Sequence, residues 1–259
     1  MTKAEQLIEA IKDAEYVLVG IGEEFNENFT QIGLHEDLMK LLHTIDEKES
    51  LNWAVPFMEK AYLEEQKVNE NLQAYQKLYE LIKDKNYFIV TTCIDGIIEK
   101  AGFDETKVVQ PCGGYHFLQC SGKCNTKLIK ADDYVEIIKE QLEKTGNAER
   151  PLCPDCGKPL EFNNVLSEHY VEEGYLPQWE KYTKWLSATL NRKLCILELG
   201  VGMDIPSVIR FPFEKVAFFN QKASFFRVNG TLFQLSEELA DKGVSIEKNA
   251  PAFLLEDCK

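Results

Sequence analysis

Two close pairs of cysteines carry the strongest chemical signal in this chain of 259 residues, Cys120-x-x-x-Cys124 and Cys153-x-x-Cys156. Loops of that length set two thiolates on one ion without strain, and Zn²⁺ takes four soft ligands in a tetrahedron. Four cysteines leave no open position, so the expected ion is structural and does no chemistry itself. The second pair sits in Pro151-Leu152-Cys153-Pro154-Asp155-Cys156-Gly157, a turn-rich run in which Gly157 permits a tight backbone. Two other readings stand beside it, buried free thiols and a redox couple at Cys153 and Cys156. Cys195 falls inside an apolar run and reads as core; Cys258 lies in the tail.

Glycine pairs form the second signal. Gly20-Ile21-Gly22 and Gly200-Val201-Gly202 each end an apolar run. Taken singly, either is an ordinary turn from strand to helix. Taken together, they predict one seat for a dinucleotide, because ligands of a doubly wound sheet bind where strands end and glycine lets backbone N–H groups approach a phosphate. A third group gathers Gln110, Cys112 and His116, with Cys93 upstream. A thiol beside an imidazole is one route to an activated nucleophile or base. The same cysteines also read as small apolar fillers.

The elements that must position these groups follow from pattern. Hydrophobic residues make up 44% and charged residues 28%, an ordinary globular mix. With 43 acidic against 29 basic residues the formal charge is -14, which argues against nucleic acid and anionic membranes as partners. The N-terminus lacks a signal-peptide core, and no apolar run nears the roughly 20 residues of a membrane span. A cytoplasmic setting with reduced thiols is expected. Ala4, Leu7, Ile8 and Ile11 are spaced for a helix, and 15–20, 87–92, 194–199 and 216–220 read as short buried strands. Residues 24–85 read as helical, including a run from Trp53 to Ile82, and helices are expected near 132–144 and 175–190. Strands alternating with helices predict an α/β chain with a largely parallel sheet.

On these landmarks the chain resembles the sirtuin family. Thr91-Thr92-Cys93-Ile94-Asp95-Gly96 with Glu99-Lys100-Ala101-Gly102 is similar to the family's "TQNIDG…AG" segment. Gln110-Pro111-Cys112-Gly113-Gly114-Tyr115 stands where sirtuins carry "HG", and the cysteine quartet follows. Leu197 to Gly202 resembles the "GTS" strand end, and Met203 to Glu214 is closest to macrodomain-linked (class M) sirtuins. The order of landmarks agrees from Tyr16 to Asn220.

The resemblance implies a Rossmann-like, doubly wound parallel sheet that binds NAD, with a smaller domain built from a helical insert and a zinc module. Residues 1–25, 86–112 and 190–259 would form the first, 26–85 the insert, and 113–189 the zinc-containing part. Gly20, Ile21 and Gly22 match the first cofactor loop and Gly200, Val201 and Gly202 the second. Asp95 matches the acidic residue near the nicotinamide, and Asn220 the asparagine that meets the adenosine ribose.

Three positions depart from the family. Glu23-Glu24-Phe25-Asn26 replaces a serine and an "IPDFR" run, Cys93 replaces an asparagine, and Cys112 replaces the general-base histidine. Class M members keep that asparagine and carry glutamine for the histidine. Lysine deacylation depends on the missing histidine, so the implied activity is cleavage of the nicotinamide–ribose bond and ADP-ribosyl transfer to a protein or small acceptor. Its candidate catalytic residues are Cys112, Cys93, His116 and Asp95. The alternative is a catalytically inactive sensor or adaptor that binds NAD or ADP-ribose.

Overall fold

The computed structural model describes residues 1–27, 29–65 and 69–258, apart from the side chains of residues 30 and 31. Its strands are Tyr16–Ile21 (β1), Asn86–Thr91 (β2), Val108–Val109 (β3), Gly113–Cys120 (β4), Ile129–Lys130 (β5), Leu160–Asn164 (β6), Leu194–Leu199 (β7), Ala223–Asn229 (β8) and Gly243–Glu247 (β9). The helices are Lys3–Asp13 (α1), Glu36–Asp46 (α2), Val55–Glu65 (α3), Glu70–Ile82 (α4), Asp132–Thr145 (α5), Leu176–Ala188 (α6), Arg210–Phe219 (α7) and Ala250–Glu256 (α8). The helical run expected from Trp53 to Ile82 becomes α3 and α4, and 66–68 between them lie outside the described residues.

Six strands form one parallel sheet in the order β3-β2-β1-β7-β8-β9. Counted in sheet sequence this is the 3-2-1-4-5-6 order of a doubly wound fold, with its switch point between β1 and β7. A parallel sheet buried on both faces needs apolar side chains on both, which is why β1, β2 and β7 read as largely apolar runs. Val17, Val19 and Ile21 pack with Leu7 and Ile11 of α1, Leu78 of α4 and Leu254 of α8. Leu18 points the other way, into a second cluster with Tyr182 of α6 and Phe213 and Ala217 of α7. Each such buried side chain contributes about 1.5–3 kcal/mol.

Gly20 belongs to that second face. A Cβ there would fall 2.4 Å from Ile209 and 2.7 Å from Phe213, so the missing side chain is what lets α7 lie against β1. The strand expected at 216–220 is instead the end of α7, and the true neighbour of β7 is β8. A short apolar run carries no period of its own; here the buried spacing Ile209, Phe213, Ala217 decides for helix.

The remaining elements make a second layer. An antiparallel sheet, β5-β4-β6, packs with α2, α3 and α5 through Phe57 and Tyr115, whose rings lie 4.8 and 5.0 Å from that of Phe162. Helix α4 lies against α1 and α8, and α6 lies against β3. Among the described residues no helix is long and apolar enough to cross a membrane.

Candidate functional site

Because β1 and β7 are neighbours at the switch point, the two glycine turns meet there. Ile21 stands opposite Leu199, the Gly22 N–H donates to Leu199 O at 3.0 Å, and the Glu24 N–H donates to Gly200 O at 3.1 Å. A Cβ on Gly22 would sit 2.5 Å from Val201 Cα, so only glycine allows this approach. Gly200, at φ +62°, takes the left-handed turn. The crevice at the carboxyl ends of these strands is where an open α/β sheet binds ligands.

Three N–H groups at these strand ends are paired with the chain's own carboxylates. Glu23 Oε2 accepts from the Gly202 N–H. Glu24 Oε1 accepts from the Gly230 N–H at 2.8 Å, and its Oε2 from the Ala250 N–H at 2.7 Å. Both glutamates are half-buried. The two turns meet at one crevice, and the carboxylates as placed do not fit the phosphates of a dinucleotide.

Asn220 lies elsewhere. It follows α7 at the amino-terminal end of β8, and its Nδ2 donates to Thr189 O at 3.1 Å and Arg192 O at 3.2 Å. The asparagine at the crevice end of β8 is Asn229, whose Nδ2 donates to Val201 O at 3.2 Å. Its Oδ1 accepts from the Thr231 and Leu232 N–H groups at 2.9 and 2.7 Å. Placing the strand at 216–220 hid this residue; the run Ala223-Ser-Phe-Phe-Arg-Val-Asn229 before Gly230 was the signal that marks it.

Cys93 and Cys112 are both buried, each 1% exposed. Burial pushes the Cys93 thiol well up, helped by the charge of Asp95, and pushes Cys112 up to about 12, helped by the charge of Glu23. Both thiols stay protonated at neutral pH, and Cys93 Sγ donates to Gly22 O at 3.3 Å. A protonated thiol is neither base nor nucleophile. His116 faces Glu99: its Nε2 lies 2.9 Å from Glu99 Oε1, the oxygen that accepts from Gln110 Nε2 at 2.9 Å. The imidazole packs over Gly96, where a Cβ would come within 2.2 Å of Nε2, and borders a separate cavity of about 480 Å³.

Asp95, buried at the end of β2, accepts from the Ile97 and Glu27 N–H groups, each at 2.9 Å. Burial raises its pKa from 3.8 to about 6 against those two bonds. An acid whose folded value is raised makes the native state bind protons more tightly, so the contribution of Asp95 to stability is fullest below about pH 4 and is lost as pH rises through about 6. At about 1.4 kcal/mol per pKa unit the fall is about 3 kcal/mol. Chemical denaturation of wild type and Asp95→Asn from pH 4 to 7 checks it: their difference in stability should change over that window and level off above it.

The cysteine quartet does assemble. The four Sγ atoms lie within 4.8 Å of one another, with Cys120 and Cys156 3.4 Å apart and Cys124 and Cys153 3.6 Å apart. Zn–S bonds of about 2.3 Å imply tetrahedron edges of about 3.8 Å, so the donor set fits that ion. Gly157, at φ +70°, and the Gly157 N–H to Cys153 O bond of 2.8 Å close the second knuckle.

Comparison with known proteins agrees with this architecture. No family model matches the chain. A protein ADP-ribosyltransferase of Staphylococcus aureus strain Mu50 is 26% identical over 270 residues, spanning 95% of this chain and 84% of that protein. An NAD-dependent protein deacetylase of Listeria innocua is 27% identical over 234 residues, 86% of this chain and 88% of that one. A solved structure of a Sir2 enzyme aligns over 98% of this chain and 94% of its own, at 15% identity and a TM-score of 0.61. The chain has the sirtuin fold.

Proposed function

We propose that this protein carries out sirtuin-like, NAD-dependent ADP-ribosyl transfer, cleaving the nicotinamide–ribose bond and passing ADP-ribose to a protein or small acceptor. The observation that carries the reading is the meeting of the two glycine turns at the switch point of a doubly wound sheet. The names of the two relatives support it further, an ADP-ribosyltransferase and an NAD-dependent deacetylase. In this reading Gly22, Gly200, Gly202 and Asn229 line the nucleotide crevice, and the buried Asp95 stands near the departing nicotinamide. Electrostatic stabilisation of a cationic ribose needs an anion held in place, and the two N–H bonds to Asp95 hold it. Zinc at Cys120, Cys124, Cys153 and Cys156 would stabilise the small layer. A cytoplasmic location and closeness to the macrodomain-linked class belong to the same proposal.

A second reading, a silent NAD or ADP-ribose binder, draws on the protonated thiols at the family's asparagine and histidine positions. One experiment separates the two. Purified protein with NAD and candidate acceptors should release nicotinamide under the first reading. Thermal stabilisation by ADP-ribose without nicotinamide release selects the second. Neither release nor stabilisation removes both.

A further inference from the structure

Backbone N–H groups that converge from several loops form an anion seat, and a phosphate oxygen and a carboxylate oxygen satisfy it equally well. The seat at the ends of β7 and β8 is fitted around carboxylates belonging to the chain itself. Gly202, Gly230 and Ala250 supply three N–H donors, and Glu23 and Glu24 supply the three oxygens that take them. The surrounding glycines leave room for these side chains in particular. A Cβ on Gly200 would fall 2.6 Å from Glu24 Cβ, one on Gly202 3.1 Å from Glu23 Cδ, and one on Gly230 3.3 Å from Glu24 Oε1. The segment bearing the glutamates is anchored from both sides. Phe25 is fully buried against Tyr75, ring centroids 4.8 Å apart, and Asn71 Nδ2 donates to Phe25 O at 2.9 Å. The Glu24 N–H is tied to Gly200 O.

We propose that Glu23 and Glu24 are specificity-determining residues that act as an internal anion, filling the phosphate seats so that a dinucleotide binds only by displacing them. This rests on the dinucleotide reading above and adds to it a self-inhibited resting state. Two consequences follow from charge. An entering pyrophosphate must break all three N–H bonds to the carboxylates, and it meets repulsion from whichever carboxylate stays close. Ligand affinity is therefore set by residues 23 and 24 more than by the glycine turns.

Calorimetric titration of ADP-ribose into wild type, Glu23→Ala/Glu24→Ala and Glu23→Gln/Glu24→Gln tests the proposal. Circular dichroism and thermal unfolding report that each variant is folded. The alanine variant empties the seat and should bind at least tenfold more tightly than wild type. The glutamine variant, which keeps an acceptor oxygen and loses the charge, should fall between them, and it carries the test by itself if the alanine variant does not fold. Equal affinities in wild type and folded variants would overturn the proposal and leave the dinucleotide reading standing. No binding by wild type or by any folded variant would overturn both.

Discussion

Cys153→Ser is expected to leave the protein without its metal and with the small layer unfolded at temperatures where the parallel-sheet layer persists. Cys153 is 4% exposed and joins Cys124 at 3.6 Å, so a hydroxyl there supplies a harder, more weakly held ligand. Structural zinc is worth about 10–16 kcal/mol in isolated finger peptides, where binding and folding are one event. Here β4 and β6 are also held by Phe162 and Tyr115 in a shared core, so the loss should be smaller but still several kcal/mol. Metal analysis should return about one zinc per wild-type chain and less than a tenth of that for the variant. A strong chelator should reproduce the variant's unfolding curve in the wild type. Equal stability with and without metal would assign the quartet to free thiols.

Arg227→Met is the second large effect, this time in the other layer. Arg227 and Glu198 face each other in register on β8 and β7, 1% and 0% exposed. The Arg227 Nε donates to Glu198 Oε1 at 2.6 Å and its Nη2 to Oε2 at 3.0 Å, while Nη2 also reaches Glu214 at 2.7 Å. Removing the guanidinium leaves buried Glu198 with Arg210 alone, 3.5 Å away, and takes from Glu214 its bond to Arg227. Breaking such a pair costs about 3–5 kcal/mol, whereas replacing both partners by apolar residues of like volume is often close to neutral. The single variant should therefore melt roughly 10 °C lower. Glu198→Leu/Arg227→Met should recover part of that loss, because Arg210 and Glu214 then lose these partners, and a double-mutant cycle by chemical denaturation measures the coupling. Strictly additive losses would mean the pair contributes nothing beyond packing.

These predictions draw unequally on sequence and structure. The strands β1, β2 and β7 were readable to within a residue because a strand buried on both faces is apolar along most of its length, Glu198 being the one charged residue among the three. The spacing of the cysteines was enough to assemble the quartet, since four thiols in two short loops have few other arrangements. Val216 to Phe219 misled because four apolar residues suit either period, and only Ile209 and Phe213 upstream reveal the helix. That one misreading carried Asn220 into the candidate site and left Asn229 out.

The roles of charged side chains were less legible still. Glu23 and Glu24 sit in the predicted loop, but their acceptance from Gly202, Gly230 and Ala250 depends on a strand order that no local pattern encodes. His116 lies four residues from Cys112 along an extended strand, and its partner turns out to be Glu99 from a different loop. Chemistry that depends on spacing within one loop was visible. The partners that the charged side chains find on other loops were not.

The central claim is that the two glycine turns form one seat for a dinucleotide, held shut by the chain's own carboxylates. Amide chemical shifts of isotope-labelled protein during titration with ADP-ribose test it most directly. The account predicts that Gly202, Gly230 and Ala250 shift together as their N–H groups exchange carboxylate for phosphate. Shifts confined to the cavity beside His116, with those three amides unmoved at saturation, would contradict it.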